Sequence, residues 1–168
     1  MTTPPDGDDA ATAASAWERA IDDAGRLARE RERAGRETLV TVAGHTAVRT
    51  GVDAPTFVYT VPGRDAATLA AWVDVPAAWR SLVYGRVVGD RVYRVTELRH
   101  PVRESTAFVV GSHSLLEGRR AMRGADPDGP VRSVVRSLDD AARVTFEHDD
   151  PSPFLEVTRG RRDEDGRA

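Results

Sequence analysis

The stretch SLVYGRVVGDRVYRVTEL, residues 81–98, decides the fold class of this chain. Apolar and polar residues alternate on both sides of Gly89-Asp90, as they do in two half-buried strands joined by a tight two-residue turn. The strands of such a hairpin pair antiparallel. The centre of the chain therefore predicts an antiparallel sheet.

Helix and strand patterns continue from the hairpin toward the N-terminus. The capping pair Ser15 and Glu18 begins a helix whose apolar residues recur every three or four positions, and Gly35 is suited to end it. The segments ETLVTVAG and PTFVYTVP, residues 37–44 and 55–62, predict strands by their β-branched content. Between them, GHTAVRTGVDA can be a loop or a short strand.

Two further helices are predicted from capping residues. Asp65 can cap a short helix that carries Leu69 and Trp72. Ser114 and Glu117 form a second capping box, for the helix LLEGRRAMRG.

The C-terminal half adds three more strands, STAFVVGS, VRSVVRS and ARVTFEH, and a last helix. Consecutive strands lie close enough for hairpins, and helices interrupt only between groups of strands. We therefore expect an α+β fold, with a largely antiparallel mixed sheet of about six or seven strands and three or four helices. It forms a single domain over residues 13–158, because 1–12 and 159–168 lack large apolar residues and are expected to be disordered tails.

Composition argues against several classes of function. The chain has 168 residues and a formal net charge of −3, so we expect neither nucleic acid nor an anionic membrane as partner. There is no cysteine, which excludes disulfides, thiolate catalysis and zinc sites with cysteine ligands. The first residues lack a basic and an apolar region of the kind found in signal peptides, and a cytoplasmic location is expected.

The segment HDDP, residues 148–151, has the highest density of side chains that could bind a metal or take part in catalysis. Asp150 is a good N-cap and Pro151 suits the first turn of a helix, so a structural role is sufficient. The alternative uses His148, Asp149 and Asp150 as metal ligands or as an acid–base pair. A metal needs three or four convergent ligands, and no second histidine lies at local ligand spacing.

The segment GSHS, residues 111–114, lies where a strand passes into a helix, which is where a nucleophile elbow or a phosphate-binding loop would be found. The spacing of glycine and serine does not match Gly-x-Ser-x-Gly. We therefore assign no catalytic, cofactor-binding or metal-binding residue. If a site exists, its candidates are His113 and Ser112 here, together with the HDDP residues.

All 24 basic residues are arginines, and those at 86, 91, 94, 99 and 103 could line one face of the central hairpin. A solvated face is the interpretation that the sequence favours for this group.

The chain resembles a family of small uncharacterised proteins from haloarchaea. The similarity spans about residues 15–157 and is carried by the first helix, the VYG and VYRV segments of the hairpin, and the ending VTF-x-HDDP-x-x-F at residues 144–154. It implies no activity, cofactor or catalytic residue. The order of elements is also similar to the metalloprotease-like fold of deubiquitinases, and residues 132–136 lack the histidines that such an active site needs.

Two functions from different classes remain. The first is a non-catalytic interaction or regulatory module without cofactor, acting on an unknown protein partner. The second is a small metal-dependent or acid–base hydrolase that uses the segment His148-Asp149-Asp150. Convergence of these groups with His113 in a concave pocket would favour the hydrolase.

Overall fold

A computed structural model of the chain describes residues 7–50, 54–73 and 79–159, with side chains from residue 10 to residue 157. These residues contain four helices and eight strands. Their bounds are α1 Gly7–Arg33, β1 Glu37–Val42, β2 His45–Thr50, β3 Pro55–Thr60, α2 Gly63–Trp72, β4 Arg80–Val88, β5 Arg91–Arg99, β6 Ser105–Ser114, α3 Leu115–Arg123, β7 Val131–Arg136, β8 Arg143–His148 and α4 Ser152–Arg159. No described helix combines the length and the apolar character needed to cross a bilayer.

The strands form two sheets of four. Sheet A has the order β1-β6-β5-β4, and sheet B has the order β2-β3-β7-β8. The neighbours β1–β6 and β3–β7 are parallel, whereas the other four pairs are antiparallel. The predicted α+β class and the largely antiparallel pairing are confirmed. The expected sheet of six or seven strands is instead eight strands divided between two sheets.

The division arises at Ala43 and Gly44, where the chain passes from one sheet to the other. The amide of Ala43 donates to the carbonyl of Val110 in sheet A at 2.8 Å, and the amide of Gly44 donates to that of Thr60 in sheet B at 2.9 Å. The segment GHTAVRTGVDA, for which the sequence allowed a loop or a short strand, therefore contains strand β2, which pairs with β3. Only two adjacent residues connect the two sheets, and so short a segment has no composition that would identify it as a linker in the sequence.

Two apolar clusters hold the layers together. The first lies between α1 and one face of sheet A. Its buried residues are Ala16, Ala20, Ala24, Leu27, Ala28, Tyr93, Val95, Phe108 and Val110. The second draws side chains from both sheets and from α2, α3 and α4, among them Phe57, Leu69, Leu98, Val109, Phe146 and Phe154. Sheet A is thus covered by α1 on one face and by sheet B on the other.

The observed ends of α1 agree only in part with those predicted from the sequence. The expected start at Ser15 is wrong, because α1 begins at Gly7 and residues 7–12, expected in the tail, are helical. Alanine-rich sequence favours this extension. Gly35 ends the helix as predicted, with φ of 84°, a left-handed conformation that glycine adopts readily.

Of the caps predicted for α2 and α3, only that of α3 is observed. Asp65 does not cap α2; it lies in the first turn, and its Oδ2 accepts from the Thr41 hydroxyl at 2.9 Å. Pro62 occupies the N-cap position instead. The predicted N-cap at Ser114 is confirmed, because the Ser114 hydroxyl accepts from the amide of Glu117.

Candidate functional site

The central strand β5 carries an arginine on the face that is turned toward sheet B. Side chains alternate along a strand, so Arg94 shares its face with Val92 and Leu98, which are both fully buried. The solvated face expected for the hairpin arginines is therefore wrong for Arg94, whose exposed fraction is 1%. Sheet B covers Arg94 and excludes the water that would otherwise solvate its charge.

Both neighbours of Arg94 across the sheet are glycines. The register places Gly85 of β4 and Gly111 of β6 on either side of it. A Cβ at Gly111 would lie 2.5 Å from Cε1 of Tyr59, and one at Gly85 would lie 2.5 Å from Cγ1 of Val157. Tyr59 and α4 therefore pack directly against the backbone beside the arginine.

The Arg94 guanidinium is held by aromatic rings and not by hydrogen bonds. Its Cζ lies 4.2 Å from the centroid of Phe57 and 5.1 Å from that of Phe154. All three guanidinium nitrogens lack a hydrogen-bond partner among the described residues. Burial lowers the Arg94 pKa, and the nearby Tyr59 hydroxyl opposes that shift without reaching hydrogen-bonding geometry. Within the described part of the chain, no carboxylate forms an ion pair with this cation.

Two histidines lie at the ends of the aromatic stack beneath Arg94. The rings of Phe57 and Phe154 stack with centroids 5.6 Å apart. His113 contacts Phe57 at 5.2 Å between centroids, and His148 contacts Phe154 at 4.8 Å. We call the five residues Arg94, Phe57, Phe154, His113 and His148 the Arg94 cluster.

His148 has both ring nitrogens engaged. Its Nδ1 lies 2.6 Å from the hydroxyl of Ser81 and its Nε2 lies 2.8 Å from that of Ser133. Burial, and after it the charge of Arg94, lower the pKa of His148 to about 4. This histidine is therefore neutral at pH 7 and joins sheet A to sheet B through two serines.

His113 keeps one nitrogen without a partner. Its Nδ1 lies 2.9 Å from the carbonyl oxygen of Ser114. A carbonyl can only accept, so Nδ1 carries the proton and Nε2 presents a lone pair. Burial, and then the charge of Arg94, lower the pKa of His113 to about 4. Its Nε2 is buried and makes no hydrogen bond with any described residue.

Three hydroxyl groups in the same layer are also unpartnered in the described structure: those of Thr46, Tyr59 and Thr96. A Cβ at Gly111 would lie 2.7 Å from Oγ1 of Thr46, so this threonine and Tyr59 both pack over Gly111. Buried polar atoms in proteins nearly always have partners, and a group of orphans around one cation is unusual.

A cleft of about 640 Å³ opens beside the cluster, where β1 passes into β2. Thr46 and His113 form part of its inner wall, while Trp17 and Tyr93 line it from the side of α1. Arg91 lines it as well, and its Nε donates to the hydroxyl of Ser112 at 2.9 Å. The cleft is thus lined by one member of the Arg94 cluster, His113, while Arg94 itself is not among its lining residues.

The other buried charge in sheet A is fully paired and serves as a contrast. Glu97 accepts from Nε of Arg31 and from Nε of Arg99, each at 2.7 Å, and from the hydroxyl of Tyr84 at 3.1 Å. Burial alone would raise the Glu97 pKa, but the arginine hydrogen bonds outweigh it and the pKa lies below its usual value. This network needs no ligand to be complete.

The candidates from HDDP do not converge. His148 points between the sheets, whereas Asp149 and Asp150 are exposed. The Asp150 carboxylate accepts from the Ser152 amide at 2.9 Å. Hydrogen bonding from the Ser152 side chain, and after it from the Ser152 amide, lowers the Asp150 pKa. Helix α4 begins at Ser152, one residue later than expected, so Asp150 lies one residue before the N-cap position and accepts from the first helical amide. The described residues contain no group of three or more metal-ligating side chains.

The GSHS candidates lie on opposite faces of β6. His113 faces sheet B with Gly111, and Ser112 lies on the other face, bound to Arg91. Of the five candidates, His113 and His148 therefore belong to the cluster, and the other three do not. The sequence reasoning missed Arg94, although its position two residues from Val92 in an alternating strand carried the signal.

These features define an α+β protein with a buried cation between two sheets that no described carboxylate compensates. The chain belongs to a family of unknown function, DUF7529, which matches residues 7–156. Searches among curated proteins and among solved structures found no match.

Proposed function

We propose that this protein is a non-catalytic regulatory module that binds a small anion at the Arg94 cluster. The observation that supports it is the guanidinium of Arg94, which is fully buried with no hydrogen-bond partner among the described residues. An isolated buried charge is strongly unfavourable, and an anion bound beside it would supply both the missing charge and the missing acceptors.

The neighbours of Arg94 suit binding better than chemistry. His148 has no free nitrogen to move a proton, because two serines occupy both. Asp149 and Asp150 are exposed and do not share its environment. The hydrolase alternative therefore lacks the convergent acid–base pair that it requires.

The remaining parts of the proposal rest on the sequence. The ending VTF-x-HDDP-x-x-F favours a haloarchaeal source, and the residue pattern favours a cytoplasmic location. A regulatory module also requires a protein partner, whose identity neither the fold nor the cluster specifies.

Thermal unfolding of the full chain tests anion binding. We expect acetate, at constant ionic strength and pH 7, to raise the melting temperature of the wild type, because a ligand that binds only the folded state stabilises it. Arg94→Met should show no rise. Arg86→Met is the matched control, because Arg86 lies on the neighbouring strand with its side chain 48% exposed, and it should respond as the wild type does.

Two results would contradict the proposal. One is an equal rise in Arg94→Met, which would place the anion elsewhere on the protein. The other is a wild type whose melting temperature does not respond to acetate or to inorganic phosphate.

A further inference from the structure

The cleft where β1 passes into β2 is a space of its own. Its volume of about 640 Å³ lies within the range that small-molecule sites usually have. Three parts of the fold enclose it: the N-terminal half of α1, residues 43–46 of the crossing, and the end of sheet A at which β6 passes into α3. Arg94 does not line this space, so a ligand of the cleft is distinct from an anion bound at Arg94.

One wall of the cleft presents a cation. Nε of Arg91 donates to the hydroxyl of Ser112 at 2.9 Å, and both residues line the cleft. The terminal nitrogens Nη1 and Nη2 of Arg91 have no hydrogen-bond partner among the described residues. A planar guanidinium that is held at its Nε in this way can bind both oxygens of a carboxylate.

A carboxylate lines the cleft close to this arginine. Ser114 is the register partner of Arg91, and its hydroxyl accepts from the amide of Glu117 in the first turn of α3. Arg91 and Glu117 therefore both line the cleft where β6 passes into α3. In the part of the chain that the structure describes, their side chains form no ion pair with each other. Two opposite charges that line one cavity without pairing suit a ligand that carries both charges.

The side of the cleft formed by α1 is apolar. Ala13 and Trp17 line it, and Tyr93 packs against Trp17 with the ring centroids 6.5 Å apart. Trp17 is only partly buried, so its ring can accept a further contact. Aromatic rings pack favourably on one another. This side of the cleft therefore suits an aromatic group.

We propose that the cleft binds a free α-amino acid with an aromatic side chain. Arg91 pairs with its α-carboxylate, Glu117 pairs with its α-ammonium group, and Trp17 contacts its ring. The three groups are a few bonds apart in such a molecule, and the three side chains line the same cavity. This site is additional to the anion site at Arg94 and does not depend on it.

Titration calorimetry on the full chain at pH 7 tests each contact with a separate probe. L-Phenylalanine has all three groups, 3-phenylpropionate lacks the ammonium group, phenethylamine lacks the carboxylate, and L-alanine lacks the ring. We expect the Kd of L-phenylalanine to be about tenfold or more below that of each other probe, because each of those has lost one contact.

Two variants assign the charges to their partners. Arg91→Gln should raise the Kd of L-phenylalanine about tenfold and should not weaken phenethylamine, which has no carboxylate. Glu117→Gln should raise the Kd of L-phenylalanine by a similar factor and should not weaken 3-phenylpropionate. The controls are Arg86→Gln, which changes an exposed arginine outside the cleft, and Arg94→Met. Both should bind L-phenylalanine as the wild type does.

Three results would overturn the inference. The first is a wild type that does not bind L-phenylalanine. The second is binding of L-phenylalanine that is unchanged in Arg91→Gln and Glu117→Gln, or that is lost in Arg94→Met, because the ligand would then lie elsewhere. The third is a wild type that binds 3-phenylpropionate or phenethylamine as tightly as L-phenylalanine, because one charge would then be sufficient.

Tryptophan fluorescence adds a measurement of where the ligand lies. Trp17 lines the cleft, whereas Trp72 and Trp79 are buried in the apolar cluster between the sheets. L-Phenylalanine should change the emission of the wild type. Trp17→Phe, which keeps a ring against Tyr93, should show no such change. A change of the same size in Trp17→Phe would place the ligand near another tryptophan and would overturn the inference.

Discussion

Arg94 and His148 lie in the same buried layer, yet their polar atoms are satisfied to very different degrees. His148 has a serine at each ring nitrogen, whereas the guanidinium of Arg94 has only aromatic faces. Cation–π contact offsets part of the free energy of burying a charge, but it supplies no acceptor for the N–H groups. This contrast between neighbours makes Arg94 the residue that points to a ligand.

The two buried histidines predict a pH dependence of stability. Their pKa in the folded state is about 4, below the ordinary 6.5, so the unfolded chain binds more protons between these values. Stability is therefore greatest above pH 6.5 and falls as the pH decreases from 6.5 toward 4. The loss is on the order of 3 kcal/mol per histidine at most.

Urea unfolding at a series of pH values measures this dependence. His45→Ala is the control, because it removes an exposed histidine and should leave the curve unchanged. If the free energy of unfolding stays level between pH 6.5 and 4.5, or if NMR titration finds His113 and His148 protonated near pH 6.5, the buried neutral state is contradicted.

Strand alternation made part of the residue-scale result predictable. Arg91, Arg99 and Tyr93 fall on one face of β5, and Arg94 falls on the other with Val92 and Leu98. This alternation would have predicted that Arg94 is buried. The sequence interpretation instead treated the arginines as solvated, because charged residues are rarely buried without a partner. The orphaned nitrogens could not be foreseen, because they depend on what sheet B places opposite Arg94.

At the scale of elements, the strand glycines set how closely the two sheets approach. Gly111 has Tyr59 and Thr46 where a side chain would be, and Gly85 has Val157 of α4. A glycine inside a strand often marks the close approach of another segment. Here the approach is that of the second sheet and of α4 on either side of Arg94.

Gly111→Ala should therefore destabilise the protein. The added Cβ would lie 2.5 Å from Cε1 of Tyr59, so the ring or the strand must move, with a loss of about 1–3 kcal/mol. Gly44→Ala is the matched control, because a Cβ there meets nothing within 4 Å. Denaturant unfolding of both variants measures the difference, and equal stabilities would contradict the close packing of Tyr59 on β6.

Elements with local signals were predicted well, and those without them were not. The turn at Gly89-Asp90, the cap at Ser114 and the end of α1 at Gly35 each depend on residues a few positions apart. Strand β2 lacks such a signal, because its pairing with β3 depends on residues of two separate strands. The α1 start was missed because alanine-rich sequence extends the helix from Ser15 back to Gly7.

At the scale of the whole molecule, the α+β class followed from the sequence but the two-sheet arrangement did not. The order of strands along the chain is compatible with one sheet, and the crossing at Ala43-Gly44 has no distinct sequence pattern. The arrangement matters for the proposed anion site, because it places the inner face of the central hairpin under a second sheet. Without that cover, Arg94 would be a surface residue.

The free energy of unfolding of Arg94→Met, measured without small anions, tests the central claim most directly. If Arg94 serves a ligand, the empty protein carries an uncompensated buried charge, and an apolar side chain of similar length should stabilise it by about 1–4 kcal/mol. Arg86→Met should stay within about 0.5 kcal/mol of the wild type. A gain in Arg94→Met together with loss of the acetate response is the predicted result. Destabilisation of Arg94→Met by several kcal/mol would show that Arg94 holds the fold together, and would contradict the account.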